Sequence, residues 1–228
     1  MQARDQARTT AGWGVTGEQQ AFASVRRLAL GQQAAGRAVE QCELCSLHLA
    51  PRHRHLVELA TRQILCACDA CALTFDGAVG ARFKAIPRDV FSLEDLALSD
   101  GAWESLGLPI NLAFILQRTG QDNRVAMYPS PAGVTEALIT REAWETLAGP
   151  HPFPGQIAPD VQALLVNRLA SRREYYIAPI DRCFELAGVI RTHWRGFSGG
   201  DAVWRETDSF FAQLRTEARP AAREAVHA

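Results

Sequence analysis

The sequence predicts an α+β protein: a small cysteine-rich β-hairpin module that holds a metal, then an antiparallel sheet flanked by helices. Three observations carry this expectation. Five of the six cysteines lie between residues 42 and 71 of a 228-residue chain. Apolar runs bounded by turn residues recur at 109–117, 124–128 and 134–139, which is how adjoining strands read. Helix-starting residues stand before periodic apolar stretches around those runs. The chain divides accordingly into a mobile tail with an N-terminal helix (1–38), a cysteine-rich metal-binding module (39–90) and an α+β platform (91–228).

Composition removes several function classes. Lys plus Arg is 24 and Asp plus Glu is 25. Near neutrality argues against a nucleic-acid binder, which needs a clustered basic surface to displace counterions. Hydrophobic residues are 47%, enough for a sizeable core at this length. Lys84 is the single lysine, so no obvious catalytic amine is at hand. The longest uncharged apolar stretch, 110–116, is far below the roughly 20 residues a bilayer requires. Residues 1–14 are polar and lack the apolar core of a signal peptide. The expected compartment is the cytoplasm, where cysteines serve as metal ligands or buried thiols more often than as disulfides.

The elements follow in order. Thr16 caps a helix through Ala21, Val25, Leu28 and Leu30. Residues 53–59 read as a strand with His53, His55, Val57 and Leu59 on one face. Residues 60–62 turn, and 63–67 return. A short strand near 82–86 stops at Pro87. Ser92 and Ser99 each open a helix-start pattern. The runs at 109–117, 124–128 and 134–139 form a meander. Thr140 caps a helix over 141–147. Residues 160–169 read as a helix with Val161, Leu164, Leu165 and Leu169 on one face. A strand at 175–178, a helix from Asp181 carrying Cys183, Ala187 and Ile190, and a last helix over 201–215 complete the chain.

The chemistry concentrates in the cysteines. Cys42-Glu-Leu-Cys45 and Cys68-Asp-Ala-Cys71 are two Cys-x-x-Cys pairs separated by 22 residues. Thiolates spaced this way in two tight turns close a tetrahedral shell around one ion. Knuckle, hairpin, knuckle is the layout of a zinc ribbon or of a rubredoxin-like iron site. Zinc is preferred, because a closed four-thiolate zinc site contributes folding energy and needs no redox protection. Rubredoxin knuckles read Cys-Pro-x-Cys-Gly, whereas Glu43, Ser46, Asp69 and Ala72 stand in those places here. Cys66 reads as a strand residue packed under the second knuckle, with an additional ligand or a reactive thiol as the sharper alternative. His53 and His55 are additional candidate ligands, with a solvated basic strand beside Arg52 and Arg54 as the alternative. Cys183 reads as a core residue. Asp181 and Glu185 read as helix-start and surface charges. No catalytic residue is assigned, since Ser130 lacks a nucleophile elbow.

A second constellation lies between the last two helices, in His193-Trp-Arg-Gly-Phe-Ser-Gly-Gly. Arg191, His193, Trp194, Arg195 and Phe197 are candidate partner-binding residues, because aromatic and arginine anchors dominate interface energetics. The alternative is a glycine-terminated helix hairpin with its aromatics tucked into the core.

Several runs together resemble a known group. They are Cys-Glu-Leu-Cys at 42–45, His-Arg-His-Leu at 53–56, Cys-Ala-Cys-Asp-Ala-Cys-Ala-Leu at 66–73, Tyr-Pro-Ser-Pro-Ala-Gly at 128–133 and Arg-Thr-His-Trp-Arg-Gly-Phe-Ser-Gly-Gly at 191–200. The chain resembles an uncharacterised bacterial family encoded beside actinobacterial-type nickel–iron hydrogenase genes. That resemblance implies a gene context and no mechanism. The second half also looks like another accessory family of that neighbourhood, which suggests a protein-interaction platform. The expectation is therefore a non-enzymatic, metal-binding accessory protein. It would dock a protein partner, a nickel–iron hydrogenase subunit or maturation factor. The alternative is a rubredoxin-like iron electron carrier or redox-protective protein serving a hydrogenase.

Overall fold

The computed structural model describes residues 40–221, apart from 77–80, 131–132, 150, 152 and 197–198. The N-terminal helix expected from Thr16 lies outside the described residues. The class is α+β, built on two sheets.

The smaller sheet has three strands: β1 (Arg54–Glu58), β2 (Gln63–Ala67) and β3 (Phe83–Ala85), in the order β2-β1-β3. Both pairings are antiparallel, with His55 opposite Cys66, and Leu56 opposite Leu65 on β2 and Ala85 on β3. Helix α1 (Asp69–Phe75) follows β2 directly. Side chains alternate across a strand. Leu56 and Ala67 therefore pack with Cys42, Cys68, Ala72 and Phe83 on one face. Val57 and Ile64 point the other way and join the platform core.

The larger sheet has seven strands in the order β10-β4-β9-β8-β5-β6-β7. These are β4 (Phe91–Ser92), β5 (Leu112–Gln117), β6 (Arg124–Ser130), β7 (Gly133–Ile139), β8 (Gln162–Asn167), β9 (Glu174–Pro179) and β10 (Arg219–Pro220). All pairs are antiparallel except β10 with β4. Ser99 caps α2 (Asp100–Glu104), and Thr140 caps α3 (Arg141–Ala148), each hydroxyl accepting from a backbone N–H three residues on. These helices cover one face. There Ala113, Ile115, Leu164, Val166 and Ile177 meet Trp103, Trp144, Leu147 and Phe153. Helices α4 (Ile180–His193) and α5 (Gly200–Glu217) cover the other. There Leu112, Phe114, Leu116, Ala163, Leu165 and Tyr176 meet Cys183, Leu186, Ile190, Phe211 and Leu214.

Two expectations are overturned. Residues 160–169 contain the central strand β8, not a helix. All six of its residues are buried because both faces are covered, so the alternation of a one-sided strand is erased. Ser92 ends the short strand β4 and starts no helix; Leu93 N–H donates to Tyr175 O at 2.9 Å, so the ladder with β9 continues past Ser92.

Candidate metal centre

The first cysteine pair sits on a tight hairpin between Gln41 and His48, which form an isolated bridge. Cys42 N–H donates to Leu47 O at 2.7 Å, and Ser46 N–H donates to Cys42 O at 2.7 Å. Ser46 adopts φ 62°, the left-handed geometry usually given to glycine. The turn therefore takes a left-handed position without a glycine. The second pair differs. Cys68 is the N-cap of α1, and its Sγ accepts from Cys71 N–H at 3.4 Å. Ala72 is helical, so the second pair opens a helix instead of forming another knuckle.

The four thiols Cys42, Cys45, Cys68 and Cys71 converge, with all sulfur atoms within 4.8 Å of one another. Cys45 Sγ lies 3.7 Å from Cys68 Sγ. A tetrahedral ion with metal–sulfur bonds of about 2.3 Å places its sulfurs about 3.8 Å apart, so this separation suits a shared ion. Four cysteines thus cluster in a way that could hold one metal ion. Cys42 and Cys68 are buried, Cys71 is half-buried and Cys45 is exposed.

The local field favours negative charge at one sulfur. Burial pushes the Cys42 thiol up, but N–H groups of Cys68, Leu44 and Cys45 more than offset this and bring it to about 6. Desolvation and the neighbouring sulfurs push Cys71 up to about 12. Without a cation the cluster resists holding several thiolates together; a divalent ion removes that repulsion.

Cys66 stands apart from this shell. It faces His53 and His55, and the three form a second group with ligand atoms within 4.8 Å. The two histidines are largely withdrawn from solvent, with side chains 8% and 15% exposed, so the solvated-strand alternative does not hold. His53 Nδ1 lies 3.0 Å from Ala50 O, and His55 Nδ1 lies 2.7 Å from Asp181 Oδ2. Burial opposes charge on His55, but Asp181 and Cys66 hold it up at about 9. Burial likewise raises the Cys66 thiol, and the two imidazoles overcome this and lower it.

Asp181 was missed as a site residue. It is no surface charge: its side chain is 17% exposed and meets His55 across 126 positions of sequence. Nothing near Asp181 in the sequence signals that partner. Glu185, also expected at the surface, is 13% exposed and pairs with Arg182 at 2.6 Å. Cys183 is fully buried, as expected of a core residue, and desolvation raises its thiol strongly.

The partner-binding candidates lie at the other end of α4. Gly196, Gly199 and Gly200 all have positive φ. Trp194 is half-buried, donates from Nε1 to Gly196 O at 2.8 Å and packs edge-on against Trp204. A Cβ at Gly199 would come within 2.9 Å of Val203 Cγ1 and 3.3 Å of the Trp194 ring. The aromatic is therefore part of a helix hairpin. Arg191 and Arg195 are exposed at its rim, with Arg195 donating to Thr192 O and Trp194 O, and His193 is half-buried. Phe197 lies outside the described residues.

The described chain is thus an α+β protein that carries a four-cysteine cluster on a small sheet joined to a seven-stranded platform. It belongs to the family of unknown function DUF5947, whose model matches residues 41–218. The match spans the small sheet, every strand of the larger sheet except β10, and all the cysteines. No curated protein and no solved structure matches the chain. Among the described residues, no helix is long and apolar enough to cross a membrane.

Proposed function

We propose that this protein is a non-enzymatic, metal-binding accessory protein whose structural zinc ion sits on Cys42, Cys45, Cys68 and Cys71. The observation that carries this reading is the convergence of four thiols at the spacing of a closed tetrahedral shell. A closed shell leaves no position for substrate, so its role is to staple the hairpin at 41–48 to the start of α1. All six cysteines are free thiols, which suits a reducing cytoplasm. The platform docks a protein partner, with the rim at Arg191 and Arg195 as its polar anchor. The resemblance of the quoted runs makes a nickel–iron hydrogenase subunit or maturation factor the partner to try first.

An iron carrier of rubredoxin type is the second reading. Cys45 supports it, since an exposed ligand gives electrons a route to solvent. The helical second pair weighs against it, because a rubredoxin-like site uses two matched knuckles. Anaerobic purification followed by elemental analysis decides between them. The zinc reading requires a colourless protein with zinc bound at the four cysteines. A coloured protein that bleaches reversibly on reduction would replace zinc with iron. Co-purification with hydrogenase subunits tests the partner: it is expected to survive removal of residues 1–16 and to weaken in Arg195→Ala. An unchanged pull-down with folded Arg195→Ala removes this rim from the interface.

A further inference from the structure

We infer that His53, His55 and Cys66 form a second metal site, which binds a borderline transition-metal ion such as zinc through two imidazoles and one thiolate and leaves one coordination position open.

Two donors come from paired strands and the third from the residue just before β1. His55 and Cys66 are direct cross-strand partners in the β1–β2 pair, and His53 lies two residues before His55 on the same face. The rings of His53 and His55 meet edge-on, with centroids 4.8 Å apart. Each ring has one nitrogen engaged from outside the cluster. A carbonyl oxygen only accepts, so the Ala50 contact fixes the His53 proton on Nδ1. The Asp181 carboxylate acts the same way on His55. An ion that displaces the Nε2 protons meets a lone pair on both rings. Both Nε2 atoms are buried and have no hydrogen-bond partner among the described residues. Leaving such a group unsatisfied is costly. A metal ion beside Cys66 satisfies both at once.

The outer contacts follow the pattern seen around metal-bound histidines, where the distal ring N–H is held by a carboxylate or a backbone carbonyl. Two imidazoles and a thiolate select zinc, copper, cobalt or nickel over magnesium and calcium, which prefer oxygen. Three protein donors leave a tetrahedral ion one position for water or a small anionic ligand. Asp181 opens α4, so this ion would sit where the small sheet meets the platform.

Cys66, His55 and Asp181 also line up as thiol, base and carboxylate, the order of a nucleophile relay. That arrangement needs one imidazole. It leaves unexplained why His53 is anchored separately and turns a second orphaned Nε2 into the same cluster. A metal accounts for both.

The test is metal stoichiometry on full-length protein stripped of metal and titrated with zinc and with cobalt(II). Wild type is expected to take two equivalents per chain. Cys66→Ser and His53→Gln are expected to take one, each checked for native circular dichroism. The thiol of Cys66 should resist iodoacetamide in the loaded protein and react at least tenfold faster when stripped. One equivalent in wild type, unchanged by either substitution, overturns the second site and leaves the four-cysteine reading intact. Loss of both equivalents in folded Cys66→Ser also overturns it, because Cys66 would then belong to the first shell. Equal alkylation of loaded and stripped protein overturns it in favour of a free nucleophile. A single equivalent lost in Cys66→Ser but kept in Cys45→Ser supports the second site while removing the first.

Discussion

The two sheets are stabilised by different means. The platform sheet is covered on both faces, and its central strand β8 is buried along its whole length. The cluster on the cysteine face of the small sheet has six buried members, and two of them are Cys42 and Cys68. Apolar burial dominates the first region. The second has a small core, and the proposed metal site would add to what its junction with the platform supplies. That junction is part apolar, through Val57 and Ile64, and part polar, through His55–Asp181 and the lone lysine. Lys84 Nζ donates to Pro159 O at 2.6 Å, and Asp160 is 3.9 Å away.

This contrast can be broken in several ways. The largest effect is expected from Cys42→Ser or from a strong chelator. Metal content at the four cysteines should fall to near zero. Residues 40–76 should become sensitive to protease while the platform stays resistant. Structural metal sites of this kind contribute on the order of 10 kcal/mol in isolated fingers, so the small region should not survive the loss. A stripped protein with unchanged protease resistance throughout would show that both regions rest on burial alone.

The reciprocal change is Leu164→Ala. It removes a fully buried side chain from the central strand and should cost about 2–5 kcal/mol by denaturant unfolding. Metal content should not change at subdenaturing conditions. Loss of metal together with stability would show that the two regions unfold as one unit.

The junction lies between these extremes. Asp181→Asn leaves the shape and removes the charge beside His55. A double-mutant cycle with His55→Gln should return a coupling of about 1–3 kcal/mol. A coupling near zero would mean that the apolar contacts of Val57 and Ile64 hold the regions together unaided. The smallest effect belongs to Ser46→Gly. Relief of the left-handed φ should raise the stability of the metal-bound protein by about 0.5–1 kcal/mol, read as a higher melting temperature. A decrease would show that the Ser46 side chain supports the turn.

Legibility from the sequence followed the same divide. Local signals were read well. The Cys-x-x-Cys spacing led to the clustered thiols, Thr140 to the α3 cap, and Gly196, Gly199 and Gly200 to left-handed turns. Two-sided burial was not readable, because a short run such as Gln162–Asn167, apolar over 163–166, fits a buried strand and a buried helix equally. The second cysteine pair was read as a knuckle, since cysteine is not a usual N-cap and so Cys68 does not announce the helix that Asp69 begins. The histidine cluster was half visible. The alternation in β1 put His53 and His55 on one face, yet which face is buried depends on Asp181, brought in by the tertiary fold. Charge patterns around Arg52 and Arg54 pointed to solvent and lost to that packing.

The parallel pairing of β10 with β4 has a topological consequence. Arg219 N–H donates to Val90 O, and Ala221 N–H donates to Ser92 O, both at 2.9 Å. The platform therefore closes on itself: the chain enters and leaves along one sheet edge, side by side. A short linker from residue 221 back to residue 90 would make the platform a continuous ring of sequence. New ends could then be cut at an exposed turn such as 120–122 without disturbing either core layer. In a permuted platform of that kind the cysteine region would be a separate polypeptide, held by the junction contacts alone.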